Sequence, residues 1–316
     1  MKLKLSLKWL LTAALILTSL NCVMAQQAAS TTKVTVEVSN VVDVKAEGKI
    51  DWSKEEIRAL GIGMAPAFAA NPAQVRIFAR EAAIVAAERN LLKVISGVQI
   101  SSETTVENLV LANDVIKTKV NGLLKGAVII SEKQLTDNSY EVVMAVQMYG
   151  KKDSLASSIN LADQFKTVNP EIKIIPPVVE PTVKPDPTVK PVEPPVIAPV
   201  AGFTGLIIDC RGMGLSRSQC PRILEQNNDN IWGSLTVSAD LVNEKGIVGY
   251  YLSENDPTIV ERVGKNPLKI TALRVIGGKT FKTDAVVSPA NAELIRTENA
   301  KTLFLEKLNV AFLTDK

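Results

Sequence analysis

The chain has 316 residues, 46% hydrophobic and 22% charged, with 36 Lys and Arg against 33 Asp and Glu. These fractions belong to a globular protein and exclude a fibrous or disordered one, and a net charge of +3 is too small for a nucleic-acid binder. Histidine is absent, which removes the usual general base near neutral pH, the Ser-His and Cys-His nucleophile pairs and every histidine metal site.

The charge excess sits at one end. Residues 1–25 hold Lys2, Lys4 and Lys8 and no acid, so the rest of the chain balances at 33 positive against 33 negative side chains. Trp9 to Leu20 forms an apolar run, and Val23 and Ala25 are small residues at −3 and −1 before Gln26. Residues 1–25 are therefore predicted to be a secretory signal peptide cut between Ala25 and Gln26. The apolar run is short beside the roughly 20 residues that span a bilayer. Lipid attachment at Cys22 is the alternative. It wants a small residue just before the cysteine and Leu three places before it, where Asn21 and Ser19 stand. The expected location is the periplasm or the periplasmic face of the outer membrane, with peripheral membrane association open.

After an N-terminal segment at 26–47, a first domain is predicted over 48–160. Ile57 to Met64 mixes apolar residues with Gly61 and Gly63 and reads as a strand ending in a close-packed turn. Asn71 and Pro72 supply an N-cap and a first helical residue. The helix that follows carries Val75, Phe78, Ala79, Ala82, Val85, Ala86 and Leu92 at helical spacing, with Gly97 at its end, and its alanine-rich face should let it lie close to a sheet. Val98 to Thr105 alternates like a strand, and Val106 to Val120 reads as a second amphipathic helix. Ala127–Leu135 and Tyr140–Tyr149 are predicted to form a hairpin. The order β-α-β-α-β-β is that of a small α+β sheet domain.

A compositional break follows over 168–200. Ten of the 16 prolines fall between Pro170 and Pro199, and Pro-Thr-Val-Lys-Pro occurs at 181–185 and 187–191. Such a stretch favours polyproline II, and thirty residues at about 3.1 Å each would reach roughly 90 Å as a spacer. Beyond it, 202–316 is predicted to be a second, mixed α/β domain. Its strands are placed at Phe203–Asp209, Gly246–Leu252, Leu268–Ile276, Ala285–Val287 and Leu303–Leu313. A short helix starts near Asp256 and Pro257, and a longer one, capped by Ser288, runs from Pro289 to about Lys301.

Candidate chemistry gathers after the first strand of that domain, in Asp209-Cys210-Arg211-Gly212-Met213-Gly214. A strand followed by Gly-x-Gly can cradle phosphate on backbone N–H groups, but Arg217 stands where the dinucleotide fingerprint needs its third glycine. The plain alternative is a turn with an Asp–Arg pair. In an exported chain the close pair Cys210 and Cys220 is expected to form a disulfide, worth about 2–3 kcal/mol in the chain-entropy model, with two free thiols as the alternative. Residues 26–167 hold 16 charges of each sign and residues 202–316 hold 14 positive and 13 negative, so neither domain would steer a polyanion. No cofactor, metal or catalytic residue is expected, and enzyme is the least favoured class. A carboxylate hydrolase around Asp209 remains the minor alternative.

Several blocks between residues 57 and 155 occur in a family order. They are Gly61-Ile62-Gly63, Ala79-Arg80-Glu81-Ala82-Ala83 with Ala86 and Ala87, Asn90-Leu91-Leu92, Gly97-Val98-x-Ile100, Gly122-Leu123-x-x-Gly126-Ala127, Tyr140-Glu141-Val142 and Gly150. On these the segment resembles the bacterial LPP-twenty lipoprotein family, which has flagellar outer-membrane members. The resemblance implies a small α+β module of the cell envelope that self-assembles or binds envelope proteins, around the motor in flagellar relatives. It brings no catalytic residues. The expected function is non-enzymatic assembly or scaffolding with protein partners, itself included, through the strand at 57–64 and the hairpin at 127–149. A monomeric periplasmic module recognising a polymer or peptide through its second domain is the alternative reading.

Overall fold

A computed structural model describes residues 40–176 and 202–315. The proposed signal peptide with Cys22, Ala25 and Gln26, and most of the proline stretch, lie outside the described residues. The described residues form a mixed α+β fold.

The first sheet is antiparallel and five-stranded, in the order β1 (Val42–Val44), β2 (Gly48–Asp51), β3 (Glu56–Gly63), β5 (Tyr140–Gln147), β4 (Val128–Gln134). The hairpin β1–β2 was not expected. Its strands are short, and Gly48, facing β3 backbone, leaves little alternation to read. Helix α1 (Pro72–Ser96) covers one face. Asn71 caps it by accepting from Gln74 N, and Pro72 takes the first turn, as its sequence predicts.

The face of α1 that packs is the alanine-rich one, as its sequence predicts. Ala79, Ala83, Ala87, Leu91, Val94 and Ile95 are buried, whereas Phe78, Val85 and Leu92 face outward. The reason lies in β3. A Cβ on Gly61 would run into Ala83 O and Ala87 N, and one on Gly63 into Ala79 O and Ala83 N. The helix lies so close to the strand that only alanine fits between them. The glycine-bracketed strand is thus no association edge: β3 is central, between β2 and β5, and its glycines serve α1. Of the expected elements only β4 lies at an edge of the sheet, pairing only with β5, and it carries a bulge between Ile129 and Ser131.

Two further elements differ from expectation. Val98–Thr105 is not a strand of the sheet but a turn with one bridge, Gln99 to Thr105. The expected second helix is two, α2 (Val106–Ala112) and α3 (Asp114–Lys125), broken where Asn113 turns extended and caps α3 through Val115 N and Ile116 N. After β5, α4 (Leu155–Ser158), α5 (Leu161–Val168) and β6 (Lys173–Ile175) follow.

The second region holds a parallel sheet, β10 (Gly249–Tyr251), β14 (Val310–Leu313), β7 (Gly205–Asp209) and β11 (Pro267–Thr271). The run Leu206-Ile207-Ile208 is buried on both faces, as parallel strands require. A smaller sheet joins β12 (Arg274–Ile276), β13 (Asp284–Val287) and β8 (Ile223–Glu225). Helices α6 (Ala239–Lys245), α7 (Ile259–Val263) and α8 (Pro289–Thr302) complete it, α8 capped by Ser288 as predicted. The expected closing strand is shorter than its apolar run, because Leu303 and Leu308 take left-handed turns before Val310.

The two regions are not held apart. Residues 39–316 cluster as one compact unit. Strand β6 pairs in parallel with β9 (Thr236–Ser238) of the second region, and one apolar core runs through both. Trp52 meets Tyr250 edge-on at 5.1 Å, and Phe165 meets Trp232 at 5.4 Å. Such aromatic pairs contribute about 0.5–1.5 kcal/mol each beyond area burial. Composition reports on the proline stretch itself and says nothing about what its flanks bind.

Replacing Gly63 with Ala is expected to lower unfolding free energy by about 3 kcal/mol or more, because neither backbone can yield. Gly212→Ala, in open space at a φ of +76°, should cost only about 1–2 kcal/mol. Urea unfolding of both variants checks the ranking, and equal losses would contradict it.

Candidate functional site

The predicted segment Asp209–Gly214 follows β7 and is fastened at each residue type that could do chemistry. Asp209 accepts from Arg211 N and Nε at 3.0 and 2.8 Å, and the Arg211 guanidinium beside it holds its carboxyl below the usual range. A carboxylate fixed as an anion by its own neighbour is a poor general acid or base. Gly212 N donates to both carboxylate oxygens of Asp315 at 3.0 and 2.9 Å. Gly212 and Gly214 turn with positive φ rather than lining a phosphate cradle, and no helix follows them directly. Among the described residues no cluster of His, Cys, Asp and Glu could hold a metal.

The expected disulfide is absent: Cys210 and Cys220 are both free and buried. Their backbones are tied to different elements. Cys210 N donates to Leu313 O of β14, while Cys220 N donates to Ile100 O in the first region. Burial pushes the Cys210 thiol up to about 12 and raises that of Cys220 as well. Sequence proximity in an oxidising compartment suggested pairing, but both side chains are consumed as small core residues.

What the loop does accomplish is to join the two regions. Gln219 N donates to Gln99 O at 2.9 Å, and Arg217 pairs with Asp43 of β1 and also donates to Asp315 O. Asp43 in turn accepts from Trp52 Nε1 at 2.8 Å. A cleft of about 250 Å³ lies there, lined by Asp43, Lys45, Trp52, Gln99, Arg217 and Phe281 among others. Two of its lining residues have buried polar atoms without a partner, Gln99 Oε1 and Arg217 Nε. Nearby, buried Arg262 donates to Val310 O, Lys245 O and Gly246 O. Burial pushes Lys245 down to about 8, with Arg262 adding repulsion, and burial raises the pKa of Glu55 against the pull of both cations. Arg262 is spent on these carbonyls, and Lys245 Nζ on Lys307 O and Asn309 Oδ1.

An open apolar surface lies elsewhere, on the first sheet. Alternation along β3 places Gly61 and Gly63 under α1 and sends Arg58, Leu60 and Ile62 to the opposite face. Val143 stands beside Leu60, and Val128 beside Ala145, on that same face. Ile62 is 53% exposed and Val128 63%, and Leu60 and Ile130 are also exposed. Val44, Leu60, Ile130 and Val143, with Lys49 and Arg58 at one side, line an open concavity of about 640 Å³. Arg58 is held by Glu56, 2.5 Å away. No described element covers this apolar face, and an exposed, contiguous apolar surface of this kind marks an interaction site. Sequence reading chose Gly61 and Gly63 and missed their neighbours Leu60 and Ile62. The alternating pattern of β3 carried the signal, since glycine every second residue assigns the intervening positions to the other face.

Residues 205–316 match the family model described as Treponema pallidum Tp0624, second domain. The match opens on the first residue of β7 and takes in the whole parallel sheet, about a third of the chain. No curated protein matches the chain. Among the described residues no helix is long and apolar enough to cross a membrane.

Burial of both thiols is expected to block Ellman's reagent in the folded chain cut after Ala25 at pH 8, and two thiols should appear on unfolding without reductant. Absorbance at completion checks this; a thiol count of zero in the unfolded, unreduced chain would restore the disulfide.

Proposed function

We propose that the protein is a non-enzymatic, exported envelope component that acts by binding other proteins, itself included, through the open face of its first sheet. The observation that carries this reading is the uncovered apolar surface of Leu60, Ile62, Val128, Ile130 and Val143. A sheet covered on one side only either faces water with polar residues or is completed by a partner. The signal-like N-terminus and the likeness of residues 57–155 to the LPP-twenty lipoprotein family support an envelope location and an assembly role, of which flagellar structures are one setting. The Asp209 carboxylate, tied up by Arg211, offers nothing to a hydrolase reading.

A second reading, a monomeric accessory module that recognises a polymer or peptide, draws on the cleft at the junction. Its unpartnered Gln99 Oε1 and Arg217 Nε, beside Trp52 and Phe281, are groups that a polar ligand would satisfy.

The double variant Leu60→Lys/Ile130→Lys is expected to keep the wild-type unfolding midpoint, because both side chains are exposed, while capture of envelope proteins on the immobilised chain falls about tenfold. Quantitative mass spectrometry of the captured fraction reads this. An unchanged capture profile removes the sheet face from the proposal.

A further inference from the structure

We propose that the cleft at the junction holds the free C-terminal end of a peptide. The terminal carboxylate meets Lys45, the last amide meets Gln99 and Arg217, and the last side chain lies among Ile50, Leu215 and Phe281. This rests on the accessory-module reading of the cleft and names the part of the peptide that is held.

The observation is a concentration of unmet hydrogen-bonding groups. Eight buried side-chain polar atoms lack a partner among the described residues, and five of them belong to Gln99, Arg217, Ser218 and Gln219. These side chains are closed off: Gln99 is 8% exposed, Ser218 and Gln219 1%, and the Arg217 side chain 9%. Buried polar groups are almost always bonded, so a cluster of exceptions points to a polar partner from outside the chain. Gln99 of the first region and Arg217 of the second both line the cleft of about 250 Å³.

Charge and polarity narrow the ligand. The Arg217 guanidinium is matched by Asp43, whose other carboxylate oxygen takes the Trp52 indole N–H. Lys45 is the remaining charge on the lining. It is exposed and has no ion-pair partner among the described residues, and nearby Glu47 is taken by Lys93 at 3.5 Å. The cleft thus carries one unbalanced positive charge. The backbone of Lys45 is fixed by the β1–β2 turn, where it exchanges hydrogen bonds with Gly48 at 2.8 and 3.4 Å. The unmet groups on the lining are of opposite sense, Gln99 Oε1 an acceptor and Arg217 Nε a donor. An amide, with its N–H and C=O, answers both, whereas a bare anion or a metal ion answers one at most. Buried Ile50 and Leu215, with Phe281 at 36% exposure, supply an apolar wall. One negative charge next to an amide and a side chain describes a peptide C-terminus, and capture of that carboxylate is a recurring mode of recognition. An internal stretch of peptide would bring no backbone charge to Lys45.

The probe is a set of acetylated tripeptides, Ac-Ala-Ala-Xaa, with each natural amino acid in turn at the last position. Each is made with a free carboxylate and with a carboxamide end, and calorimetric titration into the full chain cut after Ala25 reads binding. Free-carboxylate peptides with an apolar last residue should bind. Their carboxamide forms should bind about tenfold more weakly or worse, the loss of one charge-assisted contact. Lys45→Gln, at an exposed residue, should lower affinity for the free carboxylate by the same factor and leave that for the carboxamide unchanged. Gln99→Met removes the unmet acceptor at similar volume. It should weaken binding of both forms while keeping or raising the unfolding midpoint, whereas a glutamine with a purely structural role would lower it. Leu60→Lys/Ile130→Lys should leave peptide binding intact, which separates the cleft from the sheet face. Equal affinity for the two ends, or a Lys45→Gln variant without effect, overturns end recognition and leaves the cleft as a peptide site. No binding across the set, or a cleft filled only by ordered water in crystals grown with the peptides, overturns both.

Discussion

The contact on which the first region depends is the approach of α1 to β3. Removing two β-carbons, at Gly61 and Gly63, lets a helix settle onto a strand with only Ala79, Ala83 and Ala87 between them. Dispersion attraction falls off steeply with separation, so a close helix–strand contact of small residues compensates for the apolar area those residues lack. The consequence reaches both surfaces of the layer. Bulky residues of β3 are left on the face without a helix, and bulky residues of α1 on the side without a sheet. Both exposed apolar surfaces are therefore by-products of one tight interface.

The second constraint is the junction. The turn at 98–105, the loop after β7 and strand β6 each have their hydrogen bonds completed by the other region, and Tyr250 sits between Trp52 and Phe312 within the common core. The candidate loop at Asp209–Gly214 is best understood as a part of this joint. Its acid is neutralised internally, its glycines form turns, and its following residues, Arg217 to Cys220, hold the first region in place.

Elements with local causes were legible in the sequence. The Asn71-Pro72 and Ser288-Pro289 helix starts, the β4–β5 hairpin and the apolar strand β7 follow from capping, turn chemistry and hydropathy, which act over a few residues. What escaped is what depends on distant neighbours. The alanine-rich face of α1 could be read as the one that lies close to a sheet, but not that Phe78, Val85 and Leu92 would stay exposed, because that depends on a strand opposite with no side chains to offer. Residues 98–105 alternate like a strand yet complete their hydrogen bonds with Gln219 and Cys220, more than a hundred positions away. The thiols of Cys210 and Cys220 are ten residues apart in sequence but anchored to different elements.

The proline stretch looks different once its two ends are placed. Before it, β6 is already laid against β9 of the second region, and after it Thr204 N is bonded to Asn266 O of that same region. The described residues on both sides of the stretch thus belong to one body. Closing entropy grows only as the logarithm of loop length, about 0.6 kcal/mol per doubling. A change in the length of the stretch would therefore cost the fold little. What holds the two regions together is their shared core and the β6–β9 pairing rather than the chain that connects them.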